Sequence, residues 1–306
     1  MRSLLLTFAV VVLYSACAIS LVVLNKLTLS KFETPIALLW IQALISAVLT
    51  RLLASGGIVK AHLDRPIMKC LMDSWQVNLL GALSVVLSAF SLQSIDASVF
   101  HILSRSLTIP FTVILSKVFL NDRVSYVSLI GCIFIVFGFY ATITLETGSR
   151  GMVFTPLGIG LGVASAFIAA YHSVVIKKSV DKTFSDIEMV YYSNLFFVIF
   201  GFPLALFEDG NLSNILSDGD LTRMFFLSSF VIGSISIVFN FAVIMQVKFT
   251  SPLTHMVSSA FRGVVQNLVC VAVLKESFTG AKLIGTVLVL CGTLLYLAGK
   301  IRRKLD

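Results

Sequence analysis

Two arginines, Arg105 and Arg262, lie inside long apolar stretches of the sequence. A guanidinium stays charged and presents a planar fork of donors, which suits a phosphate or carboxylate ligand. Arg262 has no acidic residue in the surrounding apolar region to pair with it, so we predict that it binds an anion. The alternative is an arginine satisfied by backbone carbonyls or by reaching water. Arg105 is the weaker candidate, because Asp96 lies two to three turns away.

A second polar group is Tyr191-Tyr192-Ser193-Asn194, within two turns of the start of another apolar stretch. An amide such as Asn194 is costly in an apolar region and reads the edge of a nucleobase well, while tyrosines stack on rings or bond to ribose. Asn240 is a second buried amide candidate. These residues predict a nucleoside site, and the alternative for the tyrosines is an ordinary interfacial aromatic belt.

Polar residues also surround Arg262 in the chain. Ser258 and Ser259 precede it by about one helical turn, so a hydroxyl and the guanidinium share a helix face. His255 and His101 occupy similar positions in their stretches, and we interpret them as local hydrogen-bonding residues rather than proton relays. The apolar stretches are basic or neutral, which favours exchange of one anion for another over coupling to protons or sodium.

The sequence carries no motif of an enzyme. It has no HExxH, GxSxG or P-loop pattern and no metal-spaced cluster of histidines and cysteines. The five cysteines show no paired spacing, so we interpret them as small buried apolar residues. We therefore predict a protein that is not an enzyme and uses no cofactor or metal.

The elements that must position these residues follow from composition. Apolar residues make up 58% and charged residues 12%, with a mean hydropathy of +0.99, whereas soluble domains carry about 25% charged residues. The apolar residues fall in blocks of about twenty, enough to cross about 30 Å of hydrocarbon. We predict an all-α polytopic membrane protein with ten transmembrane helices, near residues 4–28, 34–54, 76–95, 97–119, 125–145, 155–176, 187–207, 224–246, 252–274 and 282–300.

The basic residues orient these spans. Fifteen lysines and arginines fall in one alternate set of loops and ends and six in the other, so we predict that both termini face the cytosol. The first stretch lacks a cleavage site and is interpreted as a retained span. The acidic loop from Glu208 to Asp220, with a glycosylation sequon at Asn211, would face the lumen. The net charge of +8 is scattered rather than gathered in a patch, which argues against nucleic acid as a partner.

The chain also repeats itself. At an offset of 154 residues several positions match, and each repeat holds five predicted spans, so the second copy must enter the membrane inverted. Inverted repeats are typical of transporters whose substrate site lies near the midplane. We predict one transporter domain over residues 1–306, with repeat one at about 1–150 and repeat two at about 151–306. The matched pairs are Leu129-Ile130-Gly131 with Leu283-Ile284-Gly285, Gly138 with Gly292, Asp122 with Glu276, His101 with His255 and Ser104 with Ser258.

These features resemble the drug/metabolite transporter superfamily, within its nucleotide-sugar and triose-phosphate translocator branch. The segment from Lys248 to His255, KFTSPLTH, is very similar to a stretch of GDP-fucose transporters. The RSLT that begins at Arg105 also resembles theirs. Leu24-Asn25-Lys26, followed by Thr34-Pro35, resembles the LNK and TP entry of the branch. The resemblance covers the whole chain.

The resemblance implies roles for particular residues. The FYNN guanine-contact motif of GDP-sugar carriers resembles Tyr191-Tyr192-Ser193-Asn194, which places Ser193 and Asn194 at the base. Their GALNK motif falls on the segment from Ser258 to Arg262, which places Arg262 at the diphosphate. Arg105 and Lys26 are further candidates for contacts with the diphosphate. This chain has Ser193, Ser258 and Arg262 where the motifs have Asn, Gly and Lys.

As a function, the resemblance implies an antiporter that moves a GDP-sugar, above all GDP-fucose, into the Golgi or ER lumen in exchange for GMP by alternating access. GDP-mannose, a UDP-sugar or a phosphorylated triose are alternative substrates. A non-transporting membrane scaffold is the alternative of a different class. The expected partners are the nucleotide sugar, the nucleoside monophosphate and membrane lipid. A homodimer stays open, since sequence does not fix the oligomeric state.

Overall fold

The structure is a computed structural model. It describes residues 2–58, 63, 66–120, 124–150, 155–179, 185–206, 208, 215, 217–249, 252–275 and 279–305. Within the helices the description excludes the side chains of residues 2–7, 98, 101, 104–105, 120, 146–150, 177–179, 186, 243–249, 252–261 and 303–305.

Eleven α-helices and no strand are found over the described residues. Ten of them coincide with the ten apolar stretches predicted from sequence, and α3 is a short helix that the periodicity did not predict. Within the described residues, eight of the long helices are long and apolar enough to cross a membrane, and α5 and α10 contribute shorter apolar segments at 106–119 and 262–274. The helices are α1 Arg2–Phe32, α2 Pro35–Ser55, α3 Ile67–Asp73, α4 Trp75–Ser94, α5 Ala97–Leu120, α6 Tyr126–Arg150, α7 Pro156–Ser179, α8 Asp186–Leu206, α9 Gly219–Phe249, α10 Pro252–Leu274 and α11 Gly280–Leu305.

The corner between α1 and α2 shows how local sequence sets helix ends. Glu33 has a φ of 53°, and its N–H donates to the carbonyl of Leu29 at 3.1 Å, which closes α1 with a left-handed cap. Pro35 then begins α2, where its missing N–H costs no helical hydrogen bond. The two long helices are therefore joined by only two residues.

The chain divides into two compact units, and each takes helices from both halves of the sequence. Unit 1 comprises residues 1–89 and 179–246, and unit 2 comprises residues 90–178 and 247–306.

In unit 1, α2 packs against α8. The indole N–H of Trp40 donates to the carbonyl of Val198 at 2.9 Å, which fixes the register of the two helices. Further along α2, Ala47 packs in one apolar cluster with Tyr191 and Tyr192 of α8 and with Cys70 of α3. The short helix α3 thus closes the core of unit 1 beside the predicted nucleoside residues.

A carboxylate from the end of α8 caps α2. The two oxygens of Glu208 accept from the backbone N–H groups of Ile36 at 2.8 Å and Ala37 at 2.7 Å. The first N–H groups of a helix have no partner inside the helix, so this carboxylate satisfies two of them and meets the positive end of the helix dipole. Burial raises the pKa of Glu208, although the two amide hydrogen bonds oppose the rise.

This cap predicts a pH dependence of stability. Because the pKa of Glu208 in the folded protein lies above its ordinary value of 4.5, the folded state binds the proton more tightly. Its contribution to stability is therefore complete below pH 4.5 and is lost as the pH rises through the raised value. We expect Glu208→Gln, which cannot titrate, to melt at a temperature that changes less than wild type between pH 5 and pH 7.5. An unchanged pH profile in thermal melts of purified protein would contradict this.

In unit 2, α6 and α11 pack antiparallel through glycines. A Cβ at Gly131 would lie 2.5 Å from the backbone N of Tyr296 and 2.6 Å from the carbonyl O of Gly292. Seven residues further along α6, a Cβ at Gly138 would lie 3.1 Å from the carbonyl O of Gly285. The small residues let the two backbones touch, as is typical of membrane helices.

Candidate functional site

Arg262 lies in α10 and is only 1% exposed. Its Nη1 donates to Oε1 of Gln266, one turn further along the helix, at 3.4 Å. Gln266 is also 1% exposed. The structure therefore places a fully buried guanidinium in unit 2. One of its hydrogen bonds goes to the neutral amide of Gln266.

Two further polar residues of α10 near Arg262 were not predicted from the sequence. Gln266 follows Arg262 at helical spacing, and Asn267 comes next, with its Nδ2 donating to Thr286 Oγ1 of α11 at 2.9 Å. The Arg-x-x-x-Gln spacing within an apolar helix is a signal that could have identified Gln266. Nothing in the sequence assigned Thr286 to Asn267, since that contact depends on the packing of α10 on α11.

The four predicted nucleoside residues of α8 lie together in unit 1. Asn194 Nδ2 donates to Ser46 Oγ at 3.0 Å, and Ser193 Oγ donates to Asn78 Oδ1 at 2.8 Å. The rings of Tyr191 and Tyr192 are buried, edge to face, with centroids 5.3 Å apart. Buried rings do not fit the alternative of an aromatic belt.

Glu188 explains why α8 begins where it does. Ser185 Oγ accepts from the N–H of Glu188 at 3.3 Å, and a carboxylate oxygen of Glu188 accepts from the N–H of Ser185 at 3.1 Å. This reciprocal pair is a capping box. It sets the start of α8 and so the position of Tyr191 and Asn194 along the helix.

Asn240 of α9 lines a cleft in unit 1. The cleft is small, with room for about one water molecule, and its walls include Thr50 and Phe241. Pockets for drug-sized ligands measure about 300–1,000 Å³, so this cleft is a crevice beside Asn240 and not a ligand pocket. The remaining walls are apolar and come from Ile187, Val190 and Ile237.

Lys26 is half-buried in α1, and its neighbour Asn25 makes hydrogen bonds that stabilise the helix packing. Asn25 Oδ1 accepts from Gln42 Nε2 at 3.0 Å, and Asn25 Nδ2 donates to the carbonyl of Leu21 at 2.9 Å. The asparagine of the LNK sequence thus has a structural role, because it links α1 to α2. The candidate ligand-binding residue of this sequence is Lys26.

Other predicted site residues lie outside the described side chains. Their backbones belong to α5 and α10, and the structure does not place their polar groups. They are Arg105, His255, Ser258 and Ser259.

Comparison with known proteins decides the family. The model of the Triose-phosphate Transporter family matches residues 4–297. The chain belongs to that family. This transporter-family chain is 30% identical to GDP-fucose transporter 1 of Dictyostelium discoideum over 300 residues, which cover 94% of this chain and 79% of that protein. It is 28% identical to GDP-fucose transporter 1 of Nematostella vectensis, over 94% of this chain and 87% of that protein.

Two further similarities support the same family and fold. An uncharacterised transporter of Schizosaccharomyces pombe is 28% identical over 284 residues, which cover 92% of this chain and 72% of that protein. A crystal structure with 16% sequence identity matches 100% of this chain and 98% of its own, at a TM-score of 0.59. At that identity it shows the fold of this triose-phosphate transporter family member and no more.

In this member of the family, Asp96 has a partner that the sequence analysis did not predict. Asp96 was considered as a neighbour of Arg105, but its carboxylate pairs with Lys282 Nζ at 2.7 Å. The side chain of Lys282 is 3% exposed and that of Asp96 27% exposed. Lys282 lies in the first turn of α11, where the helix dipole disfavours a cation, and the carboxylate offsets that cost.

This ion pair predicts an asymmetric pattern of stability. Asp96→Asn leaves a buried ammonium without its carboxylate and should cost roughly 1–3 kcal/mol, less than the 3–5 kcal/mol of a fully buried pair. Lys282→Met should cost less, because it removes the buried charge itself. The double variant should therefore melt above Asp96→Asn in thermal denaturation of purified protein. If the double variant is the least stable of the three, the attraction between Asp96 and Lys282 does not explain the stability of the single variants.

The cysteines differ in one respect from the prediction. No disulfide joins them, and Cys17, Cys70, Cys132 and Cys270 are buried as expected. Cys291 is exposed on α11, so the interpretation of a buried residue was wrong there. Among the described residues no group of three or more His, Cys, Asp or Glu side chains is placed to hold a metal ion.

Proposed function

We propose that this protein is a GDP-sugar antiporter that moves GDP-fucose into the Golgi or ER lumen and returns GMP. The observation that carries the proposal is Arg262, a buried guanidinium whose charged, planar fork of donors suits a phosphate ligand. The names of the relatives in Dictyostelium discoideum and Nematostella vectensis supply the substrate. A Golgi location is supported by the similarity to the protein named GDP-fucose transporter, Golgi, of Drosophila melanogaster.

Within this proposal each part of the substrate has its residues. Arg262 binds the diphosphate, with Arg105 and Lys26 as further cations. Tyr191, Tyr192, Ser193 and Asn194 serve the nucleoside, with Asn240 as a further nucleoside contact. The side-chain bonds from Asn194 to Ser46 and from Ser193 to Asn78 hold these groups in place before the base arrives. His255, Ser258 and Ser259 are proposed as additional substrate contacts on α10.

In many transporters alternating access is a rocking of two inverted repeats against each other, and the packing of unit 2 supports such repeats here. Gly131 and Gly285 are equivalent at the 154-residue offset, as are Gly138 and Gly292. In the structure Gly131 contacts Gly292 and Gly138 contacts Gly285. Equivalent helices therefore meet antiparallel with their equivalent glycines exchanged, which is the packing expected of a two-fold relation. We propose ten spans in two inverted repeats, at about 1–150 and 151–306.

The proposed orientation is tested at the start of α9. Asp218 accepts hydrogen bonds from the N–H groups of Asp220 and Leu221, so it should be left intact. We expect a cysteine at the exposed Asp220 to react with an impermeant maleimide only from the luminal side of sealed vesicles. Wild type reports the background from the native cysteines. Labelling from the cytosolic side would overturn the orientation. Asn211, the sequon of the same loop, lies outside the described residues.

Counterflow in proteoliposomes tests the function itself. Vesicles preloaded with GMP should accumulate labelled GDP-fucose, whereas those preloaded with UMP or inorganic phosphate should not. Accumulation of GDP-mannose instead of GDP-fucose would support the proposed guanine nucleotide but contradict the proposed sugar. Exchange supported by UMP or by phosphate would point to a UDP-sugar or a phosphorylated triose. Absence of every exchange by folded protein would favour the scaffold.

A further inference from the structure

We propose that Gln266 is a second phosphate-binding residue that acts as a pair with Arg262; the inference rests on the proposed function. Gln266 lies in the apolar part of α10 and is 1% exposed. Its Nε2 has no hydrogen-bond partner among the described residues. A buried amide donor without an acceptor is costly, so its presence requires an acceptor from elsewhere.

The orientation of this amide follows from the chemistry of its neighbour. A guanidinium has only donors, so the Gln266 atom that lies 3.4 Å from Nη1 of Arg262 must be the carbonyl oxygen. The reverse rotamer would place two donors face to face. The carbonyl thus holds the guanidinium, and the NH₂ group points away from it with its hydrogens available.

Such a pair suits a ligand with several charged oxygens. Arg262 supplies the charge and a fork of donors, and Gln266 adds a donor without adding a second buried charge that would have to be desolvated. The adjacent Asn267 does not serve in this way, because its Nδ2 already donates to Thr286 Oγ1. The amide donor of Gln266 is therefore assigned to a phosphate oxygen of the substrate.

Three variants separate this role from a purely structural one. Gln266→Met keeps the length of the side chain and removes both polar atoms. Gln266→Glu keeps the shape, replaces the donor with a carboxylate and would pair with Arg262. Gln42→Met is the matched control, since Gln42 is also a buried glutamine but its Nε2 already donates to Asn25.

The experiment compares binding of GDP and guanosine to purified full-length protein in lipid nanodiscs. We expect Gln266→Met to weaken GDP binding about tenfold or more and to leave guanosine binding unchanged, because only the phosphate contacts are lost. Gln266→Glu should weaken GDP binding further. Gln42→Met should lower the melting temperature without changing the ratio of the two affinities. If Gln266→Met binds GDP as wild type does, or loses guanosine equally, the inference is wrong.

The same assay separates this inference from the proposed function. If wild type binds UDP or a triose phosphate in preference to GDP, the proposed substrate is wrong, and the comparison is repeated with that compound and its phosphate-free counterpart. A loss confined to the phosphate compound would still support Gln266. If folded wild type binds no phosphate compound, both proposals are overturned.

Discussion

Arg262→Ala should fold, reach the membrane and lose its substrate affinity. A charge-assisted hydrogen bond contributes about 1.5–3 kcal/mol, so we expect the apparent affinity for the nucleotide sugar to fall roughly ten- to hundredfold. Folding should survive with a lowered melting temperature, because alanine removes a buried charge but leaves a cavity and an unpaired oxygen on Gln266. Transport kinetics in proteoliposomes measure the loss, and size-exclusion chromatography reports folding.

Two further variants separate the role of the charge at Arg262 from the role of its shape. Arg262→Lys keeps the charge, loses the fork and should retain much more activity than the alanine variant, in line with the lysine of the resembling motif. Arg262→Met fills the buried volume without charge and should be as inactive as alanine. Normal transport by the alanine or methionine variant would make Arg262 structural. The anion site would then be sought at Arg105 and Lys26.

Gly131→Ala should destabilise unit 2 strongly. The new Cβ would meet the backbone of α11 at 2.5 and 2.6 Å, and backbone atoms cannot rotate away as a flexible side chain can. The two helices must therefore separate, which costs about 1–3 kcal/mol by analogy with overpacked cores. We expect a clear fall in the melting temperature in detergent, and a similar fall for Gly292→Ala, whose Cβ would lie 2.7 Å from the carbonyl O of Gly131.

Gly160→Ala is the matched control for this prediction. Gly160 lies in α7 of the same unit, and no atom lies within 4 Å of a Cβ placed on it. Alanine favours a helix over glycine by about 0.8–1 kcal/mol, so this variant should melt at or slightly above the wild-type temperature. Equal destabilisation at Gly160 and Gly131 would show that the loss of glycine itself, and not the contact, is responsible.

The sequence predicted the helices of this protein well because their signal is one-dimensional. Runs of apolar residues of membrane-spanning length coincide with the ten long helices, and Pro35 marks the start of α2. The short helix α3 was missed, since seven residues carry too little periodicity to be recognised. Its place in the core beside Tyr191 depends on packing.

The site was only partly predictable for the same reason. Arg262 could be singled out because a charge in an apolar run is conspicuous; the structure buries it, and its role as an anion-binding residue stays a prediction. Gln266 was missed, because a neutral amide in the same helix attracts less attention until its neighbours are known. The partner of Asp96 could not be derived, since Lys282 lies 186 residues away in the chain and only the packing of helices joins them.

The interleaving of the units has a consequence for biosynthesis. Ribosomes deliver the helices in order, yet α6 of unit 2 contacts α11, the last helix made, through Gly131 and Gly292. The glycine face of α6 therefore lacks its partner helix in the bilayer until translation is almost complete. Neither a fragment of residues 1–150 nor one of residues 151–306 contains a whole unit. Each fragment expressed alone should be degraded, and the two produced together in one cell should rescue each other.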